Sequence, residues 1–375
     1  MYAVTFMLLS TFALFDIAYV ERWQSHKKRF VFFGMLVAVL WLIMHDGLRW
    51  GIGTDWMPYY TFFSYSLVWP SGGNFEVGYI WLNRIVRYFT SNYSVFLIIH
   101  AIIVYCLISR AVRNYSVYPL LSMFVFYCLM VALLGMSRQY LALAICFFSL
   151  QYIFKRNPLK FVLCIIFALL FHRSAFLFIP SYFLHRQISL KVMITIIFIA
   201  IIIAFANIVN YIPSGWFFFF GDDIGYLVNL YLSYAAETTL LNSFLGLLRR
   251  SLVLFLIFAF REKIKNKNEY FDLFVNLYFV GVVGYILFNN TIFQFLVGRG
   301  LVYFTIMEIF LFPYIISIFN PRWTQKIAFA FILVYCALTI ERGFSVYSAA
   351  LGVDIFRPYN SVLINPNYES REERR

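Results

Sequence analysis

Charged side chains are scarce in this 375-residue sequence. Asp, Glu, Lys and Arg together make up 13%, against about 25% in an ordinary soluble domain. Apolar residues reach 63%, and the mean hydropathy is +0.79. That much apolar surface needs a non-aqueous solvent. A soluble multidomain chain, a disordered chain and a soluble nucleic-acid binder are excluded, and a polytopic membrane protein is implied. Cysteine is sparse as well. Cys106, Cys128, Cys146, Cys164 and Cys336 all lie inside apolar runs, and none forms a C-x-x-C pair. Neither a disulfide framework nor a zinc site is expected. The start of the chain lacks a basic stretch before its first apolar run and a small-residue cleavage site after it. Residues 2–20 therefore read as a retained helix, not a signal peptide.

What is present is a series of apolar runs near the roughly 20 residues that a spanning helix needs. They cover residues 2–20, 30–45, 93–111, 118–134, 139–154, 190–209, 241–260, 270–289, 301–319 and 327–340. Residues 161–184 are interrupted by Phe171-His172-Arg173-Ser174 and read as two short helices meeting at a polar turn; a single bent helix is the simpler alternative, but it would put the later lysines on the wrong side. Polar backbone at membrane depth is tolerated where it lines a protein cavity. The expected fold is all-α, a transmembrane bundle of about 11–12 helices in one integral membrane domain over 1–375. The same runs leave two long connecting segments, 46–92 and 210–240.

Lysine is missing from half of the connections. The nine lysines fall only in 21–29, 155–160, 185–191, 261–269 and 320–326, and arginines mark 110–115. Lys-rich connections face the cytoplasm, which puts the start of the chain outside. The opposite face carries 46–92, 135–138, the His172 turn, 210–240, 290–300 and the tail after 340. It has Arg49, Arg84, Arg87, Arg138, Arg173, Arg299, Arg342 and Arg357 but no lysine. The net charge of +13 thus first reflects topology rather than a nucleic-acid partner.

Arginine outside runs against that topology bias. Its planar fork binds phosphate bidentately and keeps its charge where lysine can lose a proton. Arginines converging near the outer boundary suit an anionic headgroup, and a lipid-linked diphosphate is the natural candidate. Arg84, Arg87 and Arg342 read as snorkelling side chains that touch lipid headgroups. Arg49, Arg138 and Arg299 sit in Gly- or Ser-containing turns and read as functional. The pair Arg249–Arg250 lies inside a span, where charge is costly, so at least one should point inward. Asp16, His45, His100 and Glu308, near or within spans, read as hydrogen-bonded bundle residues. Trp50, Trp56, Tyr59, Tyr60, Trp69 and Trp81 crowd the first outer segment. An interfacial belt and a sugar-stacking groove both account for them.

The stretch Arg49-Trp50-Gly51-Ile52-Gly53-Thr54-Asp55-Trp56-Met57-Pro58-Tyr59-Tyr60 resembles the opening motif of the EpsG family, membrane proteins of exopolysaccharide synthesis related to Wzy-type polymerases. Further matches follow in order: Phe75-Glu76-Val77-Gly78-Tyr79, Ser137-Arg138-Gln139-Tyr140-Leu141-Ala142, Phe171-His172-Arg173-Ser174-Ala175, Arg299 with Tyr303-Phe304, and Pro358-Tyr359 with Ser361. The resemblance runs from Arg49 to about Ser361 and implies a fold similar to the GT-C-like membrane glycosyltransferases.

It also implies an activity. Such polymerases join oligosaccharide repeats carried on undecaprenyl diphosphate at the outer face of the bacterial cytoplasmic membrane. A hydroxyl of the incoming repeat attacks the anomeric carbon of the growing chain, and the diphosphate leaves. The partners are then undecaprenyl-diphosphate-linked oligosaccharides, membrane lipid and a chain-length regulator. The leaving group needs positive charge and the hydroxyl needs a base. Arg138 and Arg299 are the first candidates for the diphosphate, with Arg49, Arg250 and Arg173 beside them. His172 is a candidate base, or a structural histidine at the hairpin. Asp55 is a second base or an arginine holder, and Glu76 reads as a holder. No cofactor or metal is expected; Asp222-Asp223 reads as a solvated pair. A glycan ligase needs the same site, a flippase would line a path through both membrane halves, and an acyltransferase would need a cytoplasmic thioester site that the sequence does not offer.

Overall fold

The computed structural model describes residues 1–18, 24–69, 75–211, 240–265 and 269–363. The segment 210–240, with Asp222-Asp223, falls almost wholly outside them. In chain order the helices are α1 (Tyr2–Ala18), α2 (Gln24–Gly47), α3 (Trp56–Tyr65), α4 (Val77–Phe89), α5 (Tyr93–Tyr115), α6 (Pro119–Met130), α7 (Ser137–Phe154), α8 (Pro158–Leu169), α9 (Leu190–Phe205), α10 (Leu240–Lys265), α11 (Phe271–Phe288), α12 (Gln294–Arg299), α13 (Val302–Thr305), α14 (Glu308–Ser317) and α15 (Arg322–Leu351). Short 3-10 stretches follow α6, α8 and α9. The chain is an all-helical, polytopic membrane protein. Five described helices, α2, α5, α10, α11 and α15, are each long and apolar enough to cross a bilayer. A sixth crossing results if the bent pair spanning 294–317 counts as one.

Local chemistry starts and stops these helices where the sequence punctuates them. The Asn92 side chain accepts from Ser94 N at 2.9 Å and opens α5. Asn157 accepts from Lys160 N at 3.0 Å ahead of Pro158, the first residue of α8. Side-chain caps of this kind satisfy the otherwise orphaned first N–H groups, and proline at that position loses nothing. With only 12 residues, α8 is about 18 Å long, well short of a bilayer core. It turns at His172 into a 3-10 stretch, Arg173–Phe183, that contains Pro180. The interruption expected in 161–184 is there, but its second arm is 3-10 rather than α. Another difference lies in 301–319, expected as one helix. It is broken between Thr305 and Glu308, where the stretch Gln294–Thr305 bends by 41° against Glu308–Ser317. Glu308 begins α14 at the break with 0% exposure, and a buried carboxylate must find donors rather than an apolar neighbour.

The chain divides into two compact units. The first comprises Met1–Ile179 and Phe312–Arg375, the second Pro180–Leu311. In the first, α2 packs on α5, α1 on α6, and α7 on both α5 and α8. Its connections separate to two ends. At one end Lys27 lies over the Tyr118 ring and 3.9 Å from Asp16, whose Oδ2 accepts from Leu120 N at 3.0 Å. At the other end the loop after α2, the α3–α4 hairpin, the turn before α7, the His172 turn and residues 354–362 meet. Those are the lysine-free connections. In the second unit α11 packs against α9, α10 and α13.

The helix α4 is too short to span and is two-faced. Tyr79, Asn83 and Val86 are buried, while Val77, Trp81, Ile85 and Phe89 are each more than half exposed. Such a short amphipathic helix suits a membrane interface. Arg84 and Arg87, expected to snorkel to headgroups, donate to carbonyls at the end of α3 and just beyond it. Arg84 reaches Ser66 O at 3.0 Å and Trp69 O at 2.9 Å, and Arg87 reaches Ser64 O at 3.4 Å. The bonds to Ser64 O and Ser66 O satisfy carbonyls of the kind that a helix C-terminus leaves unpaired.

Candidate functional site

Glycines let the motif segments touch. At Gly53 φ is +105°, and a Cβ there would lie 2.6 Å from both Cα and N of Gly135. The loop after α2 and the turn before α7 therefore meet backbone to backbone. Gly78 makes the second close approach. Its N–H donates to Leu170 O at 2.7 Å, and Tyr79 N donates to the same oxygen at 3.3 Å. A Cβ on Gly78 would sit 2.8 Å from that oxygen. The first turn of α4 is thereby docked on the last turn of α8, beside His172.

A strap closes the far side of the loop. Trp50 N donates to Asn360 O and Val362 N to Leu48 O, each at 3.0 Å, and Gly53 N donates to Ile355 O at 3.5 Å. The Tyr359 hydroxyl donates to the His45 carbonyl. Asp354 and Arg357 hold the strap's turn. Arg357 Nε donates to Asp354 Oδ2 at 2.7 Å, and the Phe356 and Arg357 N–H groups donate to Oδ1 at 3.0 Å. Partial burial pushes the Asp354 carboxyl up, but these donors outweigh it and hold the group below its ordinary range.

At the centre lies Arg138, in the first turn of α7. Its Nη1 is 2.6 Å from Glu76 Oε2, and its Nε donates to the Tyr59 hydroxyl at 3.2 Å. The guanidinium also lies over the Phe75 and Tyr59 rings, 4.9 and 5.6 Å from their centroids. Only 16% of the Arg138 side chain and 10% of the Glu76 side chain are exposed, so the pair interacts through a low-dielectric wall rather than through water. The other oxygen of Glu76 accepts from Arg173 N at 3.2 Å. Four sequence candidates, Arg138, Glu76, Arg173 and His172, thus come together. The Arg173 residue is exposed and His172 is half-buried.

The His172 ring is held by Ser174. Its Nδ1 is 2.6 Å from Ser174 Oγ and accepts the Ser174 backbone N–H at 3.2 Å. Through Nδ1 the hairpin histidine is thus tied to its own turn. Asp55 precedes α3 and is half-buried. Its carboxylate makes no capping bond, and no partner for it occurs among the described residues. Chain geometry brackets it: Thr54 packs on Gly135, and Tyr59, one turn on, is bonded to Arg138.

The expectation for Arg49 changes. Arg49 is 3% exposed and donates to the Asp46 carbonyl, to Leu134 O at 3.0 Å and to Ser137 Oγ at 3.4 Å. These contacts tie α2 to the turn that carries Arg138, so Arg49 is a buried pin rather than an open donor. Around it a polar network continues. His100 Nε2 is 2.7 Å from Ser137 O, His45 Nδ1 is 2.8 Å from Asp46 Oδ1, and the Tyr105 hydroxyl donates to Asp46 Oδ2. Asp46, Arg49, His100, Tyr105 and Tyr140 also line a small cavity. The aromatic cluster of the hairpin is mostly packing. Trp56, Tyr59, Tyr79 and Tyr93 are nearly inaccessible, whereas Trp50 and Tyr60 stay half-exposed against Trp56.

The second unit holds three further candidates, Arg249, Arg250 and Arg299. Arg249 Nη2 is 3.3 Å from Glu308 Oε1, which also accepts from the Tyr278 hydroxyl at 3.2 Å. Arg250 lies over the Tyr285 ring, 3.9 Å from its centroid, and donates to Gly246 O at 3.0 Å. Both find partners on α10, α11 or α14, as charges inside a span must. Arg299 ends α12 and is half-buried. Among the described residues no three or more His, Cys, Asp or Glu side chains form a group able to hold a metal ion.

Sequence reading missed several members of this arrangement. Tyr59 and Phe75 lie inside quoted motifs, and an aromatic beside each charged position was the available signal. Ser174 also lay in a quoted motif. Ser137 lay in a quoted motif too, whereas Asp46 and Tyr105 carried no signal of their own, because a buried polar network is defined by partners distant in sequence.

Against known proteins, the model of the EpsG family matches residues 30–361. No curated protein and no solved structure is significantly similar to the chain.

Proposed function

This chain belongs to the EpsG family, and from that premise we propose that it is a polysaccharide polymerase. It transfers a glycan from undecaprenyl diphosphate onto the next lipid-linked repeat, at the outer face of the cytoplasmic membrane. The observation that carries the reading is Arg138, fixed between Glu76, Tyr59 and Phe75 beside the exposed Arg173, at the lysine-free end of its unit. Positive charge preorganised in a half-buried wall stabilises an anion without the cost of reorienting water.

In the reaction a hydroxyl oxygen of the incoming repeat bonds to the anomeric carbon of the growing chain. The bond from that carbon to the phosphate oxygen breaks, and its electron pair leaves with undecaprenyl diphosphate. Arg173 meets the diphosphate directly, and Arg138 supplies a fixed positive field from behind. Asp55, a carboxylate without a partner among the described residues, takes the hydroxyl proton and passes it to water. Trp50 and Tyr60 offer half-exposed ring faces to sugar. Arg250 and Arg299 lie in the second unit as further candidate contacts for lipid phosphate.

The test is the glycan profile of a deletion strain complemented by wild type or by Arg138→Gln. Single-repeat glycans in both the deletion and the Arg138→Gln strain are expected. Long chains left unattached would replace the polymerase reading with a ligase. Repeats accumulating inside the membrane would replace it with a flippase.

A further inference from the structure

Two walls of the candidate site hang on one face of α5. Phe96 and His100 are one helical turn apart, so they lie on the same side of the helix, and their ring centroids are 6.4 Å apart. Both are buried. Phe96 carries the hairpin wall. Its ring centroid is 5.8 Å from that of Tyr79 on α4 and 5.4 Å from that of Phe63 on α3. His100 carries the other wall. Its Nε2 is 2.7 Å from the carbonyl oxygen of Ser137, the first residue of α7. A carbonyl oxygen only accepts, so Nε2 bears a hydrogen and donates it. Arg138 is the next residue.

The start of α7 has no side-chain cap of its own. Its first residue is held from outside instead, by His100 at the carbonyl and by Arg49 at the hydroxyl, the latter at the longer distance of 3.4 Å. From there the Arg138 side chain crosses to the hairpin. Its Nη1 is 2.6 Å from Glu76 Oε2, and its Nε donates to the Tyr59 hydroxyl. The gap that it spans is thus set by one turn of α5, from Phe96 to His100. We propose that His100 is a positioning residue: its Nε2–H seats the first turn of α7 so that Arg138 meets Glu76, and it acts on turnover through that pair. A misplacement of about 1 Å in a group that serves the reacting centre costs about 10²-fold. The effect on turnover rests on the transferase reading above; the bond to Ser137 does not.

Two measurements test it. The first is the 15N spectrum of the full-length protein labelled at its five histidines, near neutral pH, in lipid nanodiscs. The His100 signals are those lost in His100→Gln. A protonated Nε2 is expected, and a bare Nε2 overturns the proposal. The second is turnover of lipid-linked repeats. Glutamine can place an amide N–H near the position of Nε2, whereas methionine is of similar length and donates nothing. His100→Met should lose about 10²-fold in kcat with KM little changed, and His100→Gln should recover most of that loss. Equal loss in both variants overturns the donor role. In a Glu76→Gln background, where the pair is already broken, His100→Met should cost no more than about twofold further. Full additivity of the two losses would mean that His100 does not act through Arg138 and Glu76, and it overturns the proposal. Where Glu76→Gln leaves no turnover, the same cycle read by melting temperature decides additivity. If His100→Met does not insert, His100→Asn, whose amide is too short to reach Ser137 O, takes its place. If wild-type protein itself forms no polymer, the transferase reading fails, while the ring-nitrogen spectrum still decides the bond.

Discussion

Two arginines of the same motif set divide a task, and substitution by lysine separates them. Arg138 bonds in two directions at once, through Nη1 to Glu76 and through Nε to Tyr59, while its face lies on Phe75. A lysine ammonium can keep one of these contacts but not all of them. Hydrogen bonds to a charged group are worth about 1.5–3 kcal/mol each. Arg138→Lys should therefore cut turnover at least about tenfold while insertion stays normal; wild-type polymer from that variant would argue against a role for the fork. Arg49 has the same side chain and another duty. It binds two carbonyls and Ser137 Oγ beneath the loop, so Arg49→Lys should appear first as a lower unfolding temperature. Unchanged thermal stability with lost turnover would return Arg49 to the substrate. Motif membership was legible in the sequence for both. Their division of labour was not, because it depends on burial set by Asp46, Leu134 and Ser137, none of which is marked as a partner by spacing.

The loop between α2 and α3 owes its shape to two glycines with different duties. Gly51 has φ +62° and nothing within 4 Å of where a Cβ would sit, whereas Gly53 has φ +105° and the Gly135 backbone at 2.6 Å. Asparagine tolerates the left-handed region, so Gly51→Asn should cost about 1 kcal/mol or less. Gly53→Ala combines backbone strain with overpacking and should cost about 2–6 kcal/mol. Thermal unfolding in detergent compares them, and equal melting temperatures would deny that the two backbones meet. The strap that covers this loop has a pH signature. Asp354 has a folded-state pKa below its ordinary value, so its contribution is present above the unfolded pKa of about 4. That contribution fades as the pH falls through the lower folded value. Hydrogen exchange of Phe356 and Arg357, corrected for intrinsic rates, should speed up in that acid window and, in Asp354→Asn, already at neutral pH. A flat profile in the wild type would mean that the carboxylate does not hold the turn.

At the scale of the whole chain, hydropathy revealed most of the spanning helices because a bilayer imposes length and apolarity on each independently. It failed where a buried polar group overrides the run. Residues 301–319 are apolar enough for one helix, yet Glu308 breaks them to reach Arg249 and Tyr278. The lysine pattern proved more informative than any motif about which connections share an end. Within the first unit, the lysine-free segments meet at one end: Gly53 on Gly135, Arg138 on Glu76, Glu76 on Arg173, and Trp50 on Asn360. Lys27 lies at the other end, against Asp16 and Tyr118. Geometry separates the two ends, and the bias of lysine toward the cytoplasm supplies the expected sign. Ser91 and Lys160, both exposed, sample one end each. In intact cells carrying a version without native cysteines, Ser91→Cys should react with a membrane-impermeant maleimide. Lys160→Cys should react only after permeabilisation. The reverse pattern would put the Arg138 site inside the cell and remove lipid-linked repeats presented outside from its reach. Labelling of both from outside would mean that the two ends do not lie on opposite sides of the bilayer, and the argument from lysine to an outward-facing site would fail with it.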